Sequence, residues 1–104
     1  MIIQFNTDNN ITGNENANEY FSTSITDALS RFSNQITRVE VHLTDENSNK
    51  EGQNDKRCLL EARLEGIQPI AVTCNADSVE QAVKGAIDKL KSSLDTVIGR
   101  LRTH

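Results

Sequence analysis

The hydrophobic positions change period along the chain, and the changes predict its elements. Over residues 1–6, Met1, Ile3 and Phe5 alternate with Ile2, Gln4 and Asn6, the two-residue period of a short strand. Residues 7–16 are rich in Asn, Asp and Gly and read as a turn-forming loop. From about Asn18, Phe21, Ile25, Ala28, Leu29, Phe32 and Ile36 recur at spacings of three and four, one buried helix face. Its Ser and Thr content makes that helix poor on propensity alone, so packing has to hold it.

Strict alternation returns at residues 38–44, with Val39, Val41 and Leu43 inward and Arg38, Glu40, His42 and Thr44 outward. Residues 45–56 are polar throughout and predict a long loop. Residues 57–65 alternate again, placing Cys58, Leu60, Ala62 and Leu64 inward, with Leu59, Glu61, Arg63 and Glu65 outward. Gly66 supplies a turn, and Ile70, Val72 and Cys74 put a fourth strand on the same core. Pro69 stands near its start, where a missing N–H is tolerable.

The last segment is the clearest helix. Asp77 or Ser78 caps it, with Glu80 or Gln81 three residues on. Val79, Val83, Ala86, Ile87, Leu90, Leu94, Val97, Ile98 and Leu101 form its apolar stripe, and Arg100 and Arg102 suit the negative end of its dipole. The expected fold is α+β in the order β-α-β-β-β-α. A four-stranded mixed sheet has its first two strands joined through a helix and the last three as a meander, with both helices packed on one face.

The chain's 104 residues suit a single domain spanning 1–104, long enough to bury a core without metal or disulfide. No stretch approaches the roughly 18 apolar residues of a membrane span. Residues 1–6 lack a basic leader followed by an apolar run, so a cytoplasmic location is expected. Cys58 and Cys74 match neither a zinc pattern nor a CxxC motif, and are expected to pack as reduced thiols on neighbouring strands.

The net charge of −4 argues against a dedicated nucleic-acid binder. The charge is uneven, however. The first third sets Asp8, Glu15, Glu19 and Asp27 against Arg31 alone, whereas residues 77–104 carry Lys84, Lys89, Lys91, Arg100 and Arg102 against four acids.

Catalytic and metal chemistry find no foothold. The loop from Asp45 starts like a calcium loop, but Lys50 replaces the turn glycine and Lys56 the bidentate glutamate. His42 and His104 have no nucleophile or metal-ligand partners placed beside them, and the five glycines form no phosphate loop. The Asn10-Ile11-Thr12 acceptor pattern has no meaning without secretion. An enzyme is not expected, nor a cofactor or metal. The outward row Arg38, Glu40, Glu61, Arg63 and Glu65 reads as cross-strand charge pairing. On the last helix, Lys89, Ser92, Ser93, Thr96, Arg100 and Thr103 share a face able to meet phosphates. Lys84, Asp88, Lys91, Asp95 and Arg102 alternate in sign and read as intrahelical pairs.

The run from Asn75-Ala76-Asp77-Ser78-Val79-Glu80 through Ala86-Ile87-Asp88-Lys89-Leu90 resembles the ribosome hibernation promoting factor / ribosome-associated inhibitor A family. Ile36-Thr37-Arg38-Val39-Glu40-Val41-His42-Leu43 is similar to that family's second strand, and Ile11-Thr12-Gly13 to the segment before its first helix. The resemblance implies the same β-α-β-β-β-α fold and a short, single-domain form. It also implies non-catalytic binding to the small ribosomal subunit, across the channel for messenger and transfer RNA, which blocks translation. The residues expected to contact ribosomal RNA are Lys84, Lys89, Lys91, Arg100 and Arg102, with Arg31, Arg38, Lys56, Arg57 and Arg63 as a second set. The family's helices usually carry more cations: Ala28, Ser92 and Thr96 stand where basic residues are common. The alternative is a protein-binding regulatory module that keeps the fold without the RNA surface and docks through the open sheet face around Glu40, His42, Glu61 and Arg63, or through a self-association surface.

Overall fold

A computed structural model describes residues 1–7, 15–45 and 56–102. The elements run β1 (Ile2–Thr7), α1 (Glu15–Ala28), a 3-10 turn (Ser30–Phe32), β2 (Ile36–Asp45), β3 (Lys56–Leu64), β4 (Ile67–Ala76) and α2 (Val79–Arg102). The strands lie in the order β1-β2-β3-β4. β1 pairs in parallel with β2, and the β2–β3 and β3–β4 pairs are antiparallel. This is the expected mixed sheet in the expected order. The loops expected over residues 7–16 and 45–56 lie largely outside the described residues.

Alternation decides which face is covered. Val39, Val41, Leu43, Cys58, Leu60, Ala62 and Leu64 are all buried, while their outward neighbours Arg38, Glu40, His42, Leu59, Glu61 and Arg63 keep contact with solvent. α2 lies over β3 and β4; α1 rests against α2 and reaches β1. Ile25 and Leu29 from the first helical region and Val83, Leu90 and Leu94 from α2 complete the core without exposure. Ile3 and Phe5 of β1, in register with Val39 and Val41, extend it as partly buried members.

α1 is shorter than its apolar spacing predicts. The stripe from Phe21 to Ile36 suggested one helix, but α1 stops at Ala28, and Ile36 begins β2 opposite Leu64. Ser30–Phe32 tighten into a 3-10 turn closed by the Ser33 N–H to Ser30 O and the Gln35 N–H to Phe32 O. Ser33 and Asn34 follow, residues whose side chains compete for backbone groups and favour turns. Ile36 is buried all the same, so the four-residue step from Phe32 continues the hydrophobic pattern across a change of structure.

α2 begins at the cap the sequence offers. The Gln81 N–H donates to Ser78 Oγ at 3.1 Å, which makes Ser78 the cap. Gly66, at φ 75, takes the left-handed conformation that the β3–β4 turn requires. Pro69 sits exposed on β4, an edge strand where no ladder bond is lost.

Cys58 and Cys74 face each other directly across β3 and β4, both as free thiols. α2 crosses β4 so closely here that a methyl group on Gly85 would overlap Cys74 Sγ. That close approach explains a glycine in the middle of a long helix, where it weakens the element by about 1 kcal/mol relative to alanine. Burial, reinforced by the neighbouring Cys74, pushes the Cys58 thiol from its ordinary value near 9 up to about 12. Because the folded state holds this proton more tightly, the associated stability is complete below about pH 9 and is lost as pH rises towards 12. At pH 8, Ellman's reagent should count at most one thiol in the native protein and both of the two cysteines in guanidinium. Rapid native reaction of both would contradict the packing.

Candidate nucleic-acid interface

α2 seals the core with one stripe and leaves a flank on either side. Its residues recur every 3.6 positions, so Lys84 and Lys91 share one flank and Lys89 and Arg100 the other. On the second flank the Lys89 ammonium donates to the Thr73 carbonyl oxygen at 2.8 Å, tying α2 to edge strand β4. Arg100 is exposed and also engaged in an interaction. The Arg102 side chain, Thr103 and His104 lie outside what the structure describes.

The first flank borders a cleft between α1 and α2 of about 240 Å3. Phe21, Ala28, Val83 and Ile87 form its apolar floor. Tyr20 and Ser24 stand on the α1 side, and Glu80, Lys84, Asp88 and Lys91 on the α2 side. Tyr20 is 56% exposed, meeting Phe21 edge-on with ring centroids 5.4 Å apart. Among the described residues, neither Lys84 nor Lys91 forms an ion pair.

The alternating row on α2 was expected to pair within the helix. Instead Asp95 is taken by Arg31, whose guanidinium reaches both carboxylate oxygens at 2.5 and 2.6 Å. Arg31 also lies over the Phe32 ring, 4.6 Å from its centroid. The bridge pins the 3-10 turn to α2, but with both partners at least half exposed its contribution to stability is small. Its consequence is electrostatic: Arg31 is paired with a carboxylate, and the acid one turn beyond Lys91 is engaged elsewhere.

The remaining cations sit on the opposite, open face of the sheet. Register places Arg38 opposite Arg63 and Glu40 opposite Glu61, two like-charge pairs that are unfavourable head-on. Diagonal contacts resolve them. Arg63 Nε donates to Glu40 at 2.9 Å, Arg38 approaches the same carboxylate at 3.5 Å, and Arg63 reaches Glu61 at 3.4 Å. Partial burial raises the Glu40 pKa, but the Arg63 hydrogen bond and the charges of Arg38 and Arg63 outweigh it and hold the carboxyl below its ordinary value. The pairing therefore persists below the usual carboxylate range and is lost only as pH falls through that lowered value. The cross-strand charge pairing expected from the sequence is present. Arg38 Nε is buried with no acceptor among the described residues. Arg57 lines a shallow depression on this face with His42, Thr44, Leu59 and Glu61, and both Arg57 and Lys56 have interaction partners.

Among the described residues, the cations expected to bind RNA thus do not converge on one patch. Lys84 and Lys91, with Arg31 nearby across α2, make a helical-face group; Lys89 and Arg100 lie on the far flank; Arg38, Arg57 and Arg63 lie behind the sheet. Tyr20 escaped the sequence reading. It falls one position off the apolar stripe, and its only signal is that the chain's single tyrosine adjoins a predicted core residue. Among the described residues no cluster of His, Cys, Asp and Glu could hold a metal ion, and no helix is long and apolar enough to cross a membrane.

The same fold occurs in two solved proteins. The N-terminal domain of Protein Y from Thermus thermophilus superposes with a TM-score of 0.74 at 15% identity, covering 93% of this chain and 99% of that one. A ribosomal subunit interface protein from Coxiella burnetii gives 0.72 at 17% identity, covering 95% and 99%. At such identities the likeness establishes the fold alone. No curated protein matches the sequence. The family described as sigma 54 modulation protein / S30EA ribosomal protein matches residues 3–102.

Proposed function

The chain belongs to this S30EA ribosomal protein family, and from that premise we infer that it is a non-catalytic cytoplasmic factor that binds the small ribosomal subunit and inhibits translation in idle or stressed cells. The observation that carries the reading is the family match over almost the whole chain. The helical face supplies a surface for it: Lys84 and Lys91 are cations not committed to carboxylates, projecting beside an exposed tyrosine. Lys89 and Arg100 would act from the other flank of α2. Lysines contact phosphate as mobile point charges, so ones outside ion pairs are available to an RNA backbone, although Glu80 and Asp88 on the same rim temper their attraction. Arg31, Arg38, Lys56, Arg57 and Arg63 form the secondary set; Arg38 and Arg63 bind RNA only by sharing or surrendering the Glu40 carboxylate, which weakens their contribution.

A second reading, a regulatory module docking a protein through the open sheet face, has one observation in its favour: the depression beside Leu59. The Glu40 carboxylate is shared by Arg38 and Arg63, so a partner must compete with those contacts there. Sucrose-gradient sedimentation with separated ribosomal subunits decides between the two. Migration with the small subunit supports the ribosomal reading. Absence from both subunits at low salt overturns it and directs attention to the sheet face.

A further inference from the structure

We propose that the cleft between α1 and α2 is a pocket for one unpaired RNA base bearing an exocyclic amino group (adenine, cytosine or guanine, not uracil), stacked on Tyr20; this rests on the ribosomal reading and names the moiety recognised at its site.

Tyr20 stands exposed at the rim of the cleft. More than half of its surface is exposed, and its ring is steeply inclined to that of Phe21, so the two are not stacked face to face. An aromatic face beside lysines is the arrangement by which proteins hold single-stranded nucleic acid, the ring taking the base and the cations the adjoining phosphates.

The size and charge of the cleft also fit such a base. At about 240 Å3 the cleft is smaller than the ~300–1,000 Å3 of sites for drug-sized ligands, and its apolar floor suits one flat ring system. The α2 rim carries Lys84 and Lys91 but also Glu80 and Asp88, so its formal charge cancels. A phosphate placed centrally would gain nothing from that sum. A base with an exocyclic amino group would donate to a carboxylate while its neighbouring phosphates reach the lysines. Uracil offers a carbonyl at the corresponding position and would meet the carboxylates unfavourably. The acids that dilute this helix therefore serve base choice.

The test uses the whole chain with short oligoribonucleotides of adenine, cytosine or uracil, and in parallel with small ribosomal subunits. Wild type should bind the adenine and cytosine strands more tightly than uracil. Tyr20→Ala should weaken binding of those two roughly tenfold to hundredfold, the loss of one base–aromatic stack, with an unchanged salt slope. Tyr20→Phe should retain affinity, and Glu80→Gln with Asp88→Asn should erase the preference over uracil. Unaltered thermal melting of these surface variants establishes that they are folded. If Tyr20→Ala binds as wild type does, the base pocket is refuted while ribosome binding stands. If wild type binds the strands through Tyr20 yet ignores ribosomes, the pocket stands and the ribosomal reading fails.

Discussion

Exchanging Lys84 and Lys91 together for Glu should lower affinity for the small subunit about a hundredfold at 0.1 M salt. Each phosphate contact contributes a slope of ~0.7–0.9 to the logarithmic salt dependence, equivalent to roughly five- to eightfold at 0.1 M relative to 1 M. Losing two contacts removes about 1.4–1.8 from the slope, and the repulsion of two new carboxylates lowers affinity further. The effect is large because the fold spends so many of its other cations. Arg31 is bound to Asp95, Arg63 and Arg38 to Glu40, and Lys89 to the Thr73 carbonyl. The comparison variant is Arg38→Glu with Arg63→Glu on the open sheet face, which should reduce ribosome binding far less. Equal losses from the two faces, read by filter binding or sedimentation, would show that RNA does not choose the helical side.

Leu90→Ala tests the scaffold that presents those lysines. Leu90 lies on the buried stripe of α2 and is wholly inaccessible to solvent, so truncation removes buried methyl groups and leaves a cavity. Such changes cost ~2–5 kcal/mol, a large share of the ~5–15 kcal/mol that stabilises a typical domain. The melting temperature should fall by roughly 10–30 °C, measured by circular dichroism or calorimetry. α2 is also the helix that carries Lys84 and Lys91, so this variant should lose ribosome binding only near its lowered transition. Below that temperature its affinity should match wild type, which separates the structural role of the stripe from the recognition role of its flank. A shift of only a few degrees would contradict the burial of Leu90.

The sheet and α2 were legible in the sequence because each has one face buried and one wet. Val39-Glu40-Val41-His42-Leu43 and Cys58-Leu59-Leu60-Glu61-Ala62 admit a single inward set, and the α2 stripe continues through Gly85 and Gly99 without a break. The juxtaposition of Cys58 and Cys74 followed from the same alternation. The end of α1 was not legible, because Ile36 is buried at a helical spacing from Phe32 although it belongs to a strand. Nor was the register that sets Arg38 against Arg63, since a long polar connection between β2 and β3 does not fix pairing as a tight turn does.

The site was less legible than the fold for a related reason. Which lysines remain unpaired depends on how α1 and α2 lie together, since Arg31 and Asp95 are far apart in sequence and meet only in the folded chain. The row of Lys84, Asp88, Lys91 and Asp95 looks self-neutralising when α2 is considered alone. In the folded chain Asp95 is drawn to Arg31, and the charges left beside the cleft are Lys84 and Lys91 with Glu80 and Asp88. Tyr20 has no periodic signature at all; only its placement opposite Lys84 and Lys91 marks it.

The most direct test of the central claim is the binding of purified protein to isolated small ribosomal subunits across a salt series. Binding should weaken steeply as salt rises, with a slope reduced in the Lys84→Glu, Lys91→Glu variant and preserved in Tyr20→Phe. Absence of binding at low salt, or binding indifferent to salt and to those lysines, would contradict that claim.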